Sequence, residues 1–219
     1  YQEMVKLDAR NSKAYSGMGA ALYRMGKLPE AEGAFKKAIE VNPNDAYPFE
    51  MLGNLANARN AAKESIPYLQ KAVELDPSNA DALNSLATSL AATSNLEAAE
   101  KTYREAIRVR PYFAKAHRNL AVMLEQQGRY AEAISILLVA LDLEFDSALA
   151  WQNLMRAMIG MLDKSPEVTE KAFEVPKDEK MTPDQKAACK KHFCECGLVQ
   201  FLGVMMKPMT MATGGLIKP

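Results

Sequence analysis

The stretch SKAYSGMGAALYRMGKLPEAEGAFKKAIEVNPND, residues 12–45, decides the fold, because the chain then repeats its pattern. The clearest mark of the repeat is a proline every 34 residues, at Pro43, Pro77 and Pro111. Aligning the chain on this period gives blocks that begin at residues 12, 46, 80 and 114. An internal repeat of roughly 20 to 50 residues predicts an array of similar structural units, each packed on the next.

Small and large residues fall at fixed positions of this block. Small residues let two helix backbones approach, and large side chains fill the space between them. We therefore predict two antiparallel helices in each block, and the blocks must stack because one pair cannot bury its own apolar face. The small residues at the eighth position are Gly19, Gly53, Ala87 and Ala121, and the large residues at the twenty-fourth are Phe35, Leu69, Tyr103 and Leu137.

This pattern resembles the tetratricopeptide repeat family, whose repeat has about 34 residues. The resemblance implies an all-α fold, a right-handed α-solenoid of antiparallel helix pairs. A turn should separate the two helices of each block, and the proline should end the second helix because it has no amide proton to donate. Phe145 replaces the proline in the fourth block, so we expect the array to end there. The predicted repeats are residues 12–45, 46–79, 80–113 and 114–147, with turns at Gly26, near Asn60, near Ser94 and Asn95, and at Gly128.

The flanking segments follow the same period in part. Residues 1–11 read as the last helix of a truncated upstream repeat, with an ordinary N-terminal cap helix as the alternative. The chain begins with Tyr1, so we expect a fragment or a processed form. Residues 148–163 keep the first-helix pattern, with Trp151 and Leu154 at its fourth and seventh positions. They predict a capping helix over the fourth block.

The period is lost after the capping helix. Residues 164–183 are rich in proline and charge and predict a linker. Residues 184–207 predict a C-terminal helix, and residues 208–219 an irregular tail. The second half of that helix, GLVQFLGVMM, is apolar and needs a partner surface. Three partners remain open: the last repeat of the same chain, a separate protein, or a membrane surface.

Composition excludes several classes of function. The 27 basic and 27 acidic side chains cancel, so no whole-chain field exists to attract nucleic acid, and we expect no nucleic-acid partner. No run of about 18 apolar residues is present, and we expect no transmembrane segment. The three cysteines lie between Cys189 and Cys196 and cannot form a disulfide framework. We therefore expect a cytoplasmic location or another reducing compartment.

The same cysteines raise the question of a metal or catalytic site. On a helix, Cys189, His192 and Cys196 share a face while Cys194 points elsewhere, and no second cluster completes a four-ligand zinc site. No orienting carboxylate accompanies a cysteine–histidine nucleophile pair, and no phosphate-binding or dinucleotide-binding motif occurs. We expect no enzyme activity, no metal and no cofactor.

A solenoid of helix pairs offers a concave groove lined by the first helix of each pair. Asparagine can pair with the backbone of an extended peptide through both donor and acceptor groups, and lysine or arginine can hold a carboxylate. The alternative is that these residues are merely solvated polar positions on amphipathic helices. The predicted peptide-binding residues are Lys13, Arg24, Asn54, Asn57, Asn84, Lys115, Asn119 and Gln126.

Two resemblances refine this groove. Residues 80–141 resemble the carboxy-terminal repeats of the peroxisomal import receptor, which hold the extreme C-terminus of cargo. Asn84 in ALNSLATSL, and Lys115 with Asn119 in AKAHRNLAV, stand at positions which that receptor uses, with lysine in place of arginine. Ala92 and Gln126 replace two further asparagines of the receptor.

The stretch NSKAYSGMGAAL, residues 11–22, resembles a repeat of the small glutamine-rich co-chaperones. That resemblance implies a clamp for the C-terminal carboxylate of a heat-shock chaperone. Lys13 matches a clamp lysine, whereas Gly17 replaces the clamp arginine.

The sequence therefore predicts a non-enzymatic scaffold or adaptor that binds other proteins, as a subunit of a larger assembly. The alternative is a receptor or co-chaperone that holds the extended C-terminal peptide of a partner in the groove. Besides the groove, the C-terminal helix is a second candidate surface for partners.

Overall fold

In the computed structural model of the chain, the described residues are Asp8 and residues 10–164. These residues form nine α-helices and contain no strand. In chain order the helices are α1 Ser12–Arg24, α2 Leu28–Val41, α3 Ala46–Ala58, α4 Ala62–Leu75, α5 Ala80–Ala92, α6 Leu96–Val109, α7 Ala114–Gln126, α8 Tyr130–Leu143 and α9 Ala148–Lys164.

The helices repeat with the period of the sequence. The first helices of the four blocks, α1, α3, α5 and α7, have 13 residues each, and the second helices have 14. Each helix packs against the next along the chain. This arrangement confirms the predicted all-α solenoid of helix pairs. Helix α9 begins at the place of a fifth first helix and ends at Lys164.

Each block turns between its helices at its fifteenth position, where the backbone φ angle is positive. The residue that follows the turn residue donates its amide hydrogen to the carbonyl five residues before it, as the Lys27 amide does to the Leu22 carbonyl at 3.0 Å. Glycine and asparagine adopt this left-handed conformation at low cost, which explains their place in the sequence. The four turn residues are Gly26 (75°), Asn60 (58°), Ser94 (63°) and Gly128 (76°).

The turn between blocks does not depend on its proline. Phe145 takes the proline position after α8, yet the Glu144 amide donates to Ala140 at 3.0 Å and the Ser147 amide to Glu144 at 3.1 Å. The equivalent two bonds close the three earlier turns. Helix α8 therefore ends at the same position as the other second helices, and one more helix follows it.

The core between paired helices is built on the contact of the eighth position with the twenty-fourth. A Cβ atom on Gly19 would lie 2.7 Å from the Phe35 ring, and one on Gly53 would lie 2.4 Å from Leu69 Cγ. Phe35 and Leu69 are fully buried. These glycines are required because their backbones touch the large side chain of the opposing helix.

Helix α9 packs on α7 and α8 of the fourth block. Its Leu154 and Ala157 side chains are fully buried in a core shared with α7 and α8. Gly160 lies so close to Tyr130 of α8 that an added Cβ would be 2.4 Å from the ring. Several segments predicted from the sequence lie outside the described residues: most of the upstream helix within residues 1–11, the linker, the C-terminal helix with its cysteines, and the tail.

We predict opposite effects of alanine at two helical glycines. Gly53→Ala should lower the free energy of unfolding by about 1 to 2 kcal/mol, because the new methyl group overlaps Leu69. Gly33→Ala is the matched control, since its Cβ would meet nothing within 4 Å. It should raise the free energy of unfolding by about 0.5 to 1 kcal/mol through helix propensity. Urea unfolding measures both; stabilisation by Gly53→Ala would contradict the packing.

Candidate protein-binding face

Successive first helices lie next to one another along one side of the solenoid. Helix α5 contacts α3 and α7, and α9 contacts α7. We call the surface formed by α1, α3, α5, α7 and α9 the first-helix face. The predicted peptide-binding residues all belong to these helices, so the geometry of this face decides what they can do.

Asn57 joins α3 to α5 through its side-chain amide. Its Nδ2 donates to the Ser85 carbonyl at 3.4 Å, and its Oδ1 accepts from Ser89 Oγ at 2.9 Å. Ser65 Oγ on α4 donates to the same Ser89 oxygen at 2.6 Å. Ser65 and Ser89 are fully buried, so this network is a satisfied polar layer inside the stack rather than an open binding site.

Asn84 joins α5 to α7. Its side chain is 2% exposed, and its Oδ1 accepts a hydrogen bond from Asn119 Nδ2 at 3.0 Å. The structure therefore brings together two residues that the sequence placed in one groove. Asn119 is half-buried and Asn84 lies beneath the surface. Recognition of a peptide by this pair stays a prediction.

Glu50 on α3 occupies the same block position as Asn84 and carries a carboxylate there. Asn79 Nδ2 donates to its Oε2 at 2.8 Å, and Asn54 Nδ2 donates to its Oε1 at 3.4 Å. Burial raises the pKa of Glu50 above its ordinary value; the two amide donors oppose this, and the nearby acids Asp81 and Asp76 add to it. Asn54 is thus already occupied within its own repeat.

Two further acidic side chains of the first-helix face, one on α5 and one on α7, form ion pairs with arginines later in the chain. Asp81 on α5 accepts from Arg110 at 2.8 Å. Glu125 on α7 accepts two hydrogen bonds from Arg156 of α9, at 2.6 and 2.7 Å. The second pair is bidentate, and it ties the capping helix to the fourth block.

The remaining predicted residues are exposed and form no hydrogen bond with the asparagines. Lys13, Arg24, Lys115 and Gln126 point to solvent, and Arg118 beside Lys115 is half-buried. None of these five residues has a hydrogen bond or ion pair with another described residue. Their side chains are the groups of the described face that remain available for a partner.

Sequence reasoning missed three functional contacts on this face. The Asn79 side chain caps α5 through Oδ1 and donates to Glu50 through Nδ2. Arg156 on α9 donates two hydrogen bonds to Glu125 of α7. Thr88 Oγ1 lies 3.0 Å from the Tyr103 hydroxyl, a contact that sequence spacing alone does not reveal.

Among the residues that the structure describes, no group of three potential metal ligands lies close enough to hold an ion. The cluster of Cys189, His192, Cys194 and Cys196 lies outside them. None of the described helices has both the length and the apolar character needed to cross a bilayer.

Three family profiles for the tetratricopeptide repeat match residues 12–45, 49–79 and 84–151. The chain belongs to the tetratricopeptide repeat family. Its similarity to the solved structure of YrrB, described as a tetratricopeptide repeat protein with an unusual peptide-binding site, supports the same fold. The two share 28% sequence identity with a TM-score of 0.60, over 69% of this chain and 78% of that chain.

Two curated relatives are much longer than this chain. Protein O-mannosyl-transferase TMTC3 of Mus musculus is 26% identical over 169 residues, which is 70% of this chain and 18% of that protein. The tetratricopeptide repeat-containing protein MJ1428 of Methanocaldococcus jannaschii is 22% identical over 190 residues, which is 80% of this chain and 33% of that protein. The chain thus spans 18% of the length of the first relative and 33% of the second.

The raised pKa of Glu50 predicts a pH-dependent stability. The folded chain holds the Glu50 proton to a higher pH than the unfolded chain does, so this group destabilises the fold as pH rises through the range between the two pKa values. Between about pH 7 and about pH 4, wild-type protein should therefore gain stability relative to Glu50→Gln, which cannot titrate. Urea unfolding at several pH values measures this difference.

The matched control is Glu144→Gln, at an exposed glutamate. Its stability relative to wild type is measured over the same range, and the Glu50→Gln result is compared with it. A Glu50→Gln difference that is constant with pH, or that shifts in favour of the variant at low pH, would contradict the buried position of Glu50.

Proposed function

We propose that the chain is a non-enzymatic scaffold or adaptor, and that another protein binds to its first-helix face. The family consists of protein-interaction modules, and the face carries exposed polar groups on successive helices. The mannosyl-transferase activity in the name of one relative belongs to a protein of which this chain spans 18%. We do not extend that activity to this chain.

The observation that carries the proposal is an imbalance of paired and unpaired charges. On α3, α5 and α7 of the first-helix face, Asp81 and Glu125 are already in ion pairs, and Glu50 is held by two amide donors. Lys115 and Arg118 on α7 have no such partner. A surface whose acids are neutralised and whose bases are free favours an anionic ligand group.

The group that fits these two bases is a carboxylate. Arginine binds a carboxylate through two parallel hydrogen bonds, and lysine adds a point charge. Asn119 lies one residue beyond Arg118, and its side-chain oxygen is free to accept from a peptide amide while its nitrogen holds Asn84. The proposed ligand is therefore an extended peptide segment with a carboxylate, either an acidic side chain or a C-terminus.

Two further features support peptide binding on this side. YrrB, at 28% identity, is described as having a peptide-binding site, although its position there is not assumed for this chain. Gln126 at the C-terminal end of α7 and Lys13 on α1 are exposed and add polar groups to the first-helix face.

A second candidate function is that of a permanent subunit in a larger assembly. The observation that favours it is the use of Asn57 and Asn84 between repeats, which leaves fewer amides for reversible peptide capture. The two candidate functions differ in whether the bound partner can be released and replaced. A permanent subunit co-purifies with its partners in fixed ratio, whereas a receptor releases a bound peptide when competing peptide is added.

We predict that Lys115→Ala with Arg118→Ala weakens peptide binding by at least about tenfold, since each charge-assisted hydrogen bond contributes about 1.5 to 3 kcal/mol. The probes are peptides selected on the full chain from a library with free C-terminal carboxylates. Fluorescence anisotropy measures their dissociation constants. Binding should also weaken as salt is raised.

The matched control is Lys101→Ala, which removes an exposed lysine from the second helix α6. It should leave the affinity unchanged. Equal binding by the double variant and wild type would rule out this carboxylate site, and failure to select any peptide would favour the permanent subunit.

A further inference from the structure

Three positions of each first helix, the second, fifth and twelfth, reach forward to the following repeat. In blocks two to four these residues are polar except for Tyr47 and Ala91. The fifth and twelfth positions form bonds to the next block through Asn84, Asn57 and Glu125, whereas Glu50 and Asp81 bond to the turn that precedes the next block. The contacts are Asp81 with Arg110, Glu50 with Asn79, Asn84 with Asn119, Asn57 with Ser85 and Ser89, and Glu125 with Arg156.

On α9 the same three positions carry Leu149, Gln152 and Ile159, which we call the forward face of α9. Leu149 is 51% exposed and Ile159 is 53% exposed. The end of a repeat array is normally polar, because no further repeat covers it. Two large apolar side chains at this end therefore indicate a surface that another segment covers.

The segment that covers the forward face of α9 cannot be an ordinary second helix of a fifth block. The eighth position of α9 is Met155, whereas the four preceding first helices have glycine or alanine there. A Cβ atom on Gly53 would already overlap the large residue of its paired helix. The methionine side chain is larger than the glycine or alanine of all four preceding pairs, so it does not fit against a second helix packed at the distance of α2, α4, α6 and α8.

We propose that residues 197–206, GLVQFLGVMM, dock on the forward face of α9 within the same chain. These ten residues contain no charge, and their pattern places Leu198, Phe201, Leu202 and Met205 at helical spacing. An uncharged apolar segment matches a face that consists of two apolar side chains around a neutral glutamine. The residues before it, 165–196, are rich in charge and do not match this face.

The covalent link favours this occupant over a separate molecule. A tethered segment has an effective concentration of about a millimolar, far above that of a free partner in a cell. The intervening residues 165–196 could span on the order of 100 Å when extended, whereas α9 is only about 25 Å long. The link therefore permits docking anywhere along α9.

The test is photo-cross-linking in the full chain. A benzophenone amino acid replaces Gln152, an exposed residue between Leu149 and Ile159, and the cross-linked peptides are identified by mass spectrometry. The sample mixes unlabelled and nitrogen-15-labelled chains, so links within one chain and links between two copies differ in mass. We expect links within one chain to residues 197–206.

A double variant and a control variant test whether the cross-link depends on the apolar side chains of residues 197–206. Phe201→Asp with Leu202→Asp should reduce the yield at least about tenfold, because burial of a charge in an apolar contact is costly. Val139→Lys is the matched control, since Val139 is an exposed apolar residue of α8 outside the forward face, and it should leave the yield unchanged. Links between copies, links to other residues, or no link would each overturn the proposal.

Discussion

The structure depends on the close contact between the eighth position of each first helix and the twenty-fourth position of its partner. Gly19 lies against Phe35, and Gly53 lies against Leu69, with no space for a methyl group between them. This contact sets the distance between the two helices of a pair. Because the pairs are alike, their first helices come to lie side by side and form one continuous face.

The first-helix face has an inner layer of side chains that joins neighbouring repeats and an outer layer of side chains that is exposed to solvent. Between α3 and α7 its inner layer is polar and hydrogen-bonded: Asn57 bonds to Ser89, and Asn84 accepts from Asn119. Such a network fixes the register of neighbouring repeats, since an unpaired buried amide is costly. The outer layer keeps Lys115 exposed and without a partner among the described residues, which turns a structural surface into a candidate binding surface.

The fold could be predicted from the sequence because the repeat period reflects a backbone conformation that recurs in every block. A positive φ angle is needed once per block, and Gly26 and Gly128 meet this need at the predicted turns. The role of Asn84 could not be predicted, because its burial depends on one side chain of the next repeat. Nor did the proline pattern predict that Phe145 would close the same turn, since the backbone bonds that form it involve other residues.

A double-mutant cycle between Gly53 and Leu69 tests most directly whether their contact sets the helix spacing. The free energy of unfolding is measured by urea for wild type, Gly53→Ala, Leu69→Ala and the double variant. If the contact is as described, alanine at position 53 is harmless once Leu69 is truncated, and the two changes show a coupling of about 1 to 2 kcal/mol. Additive effects would contradict it.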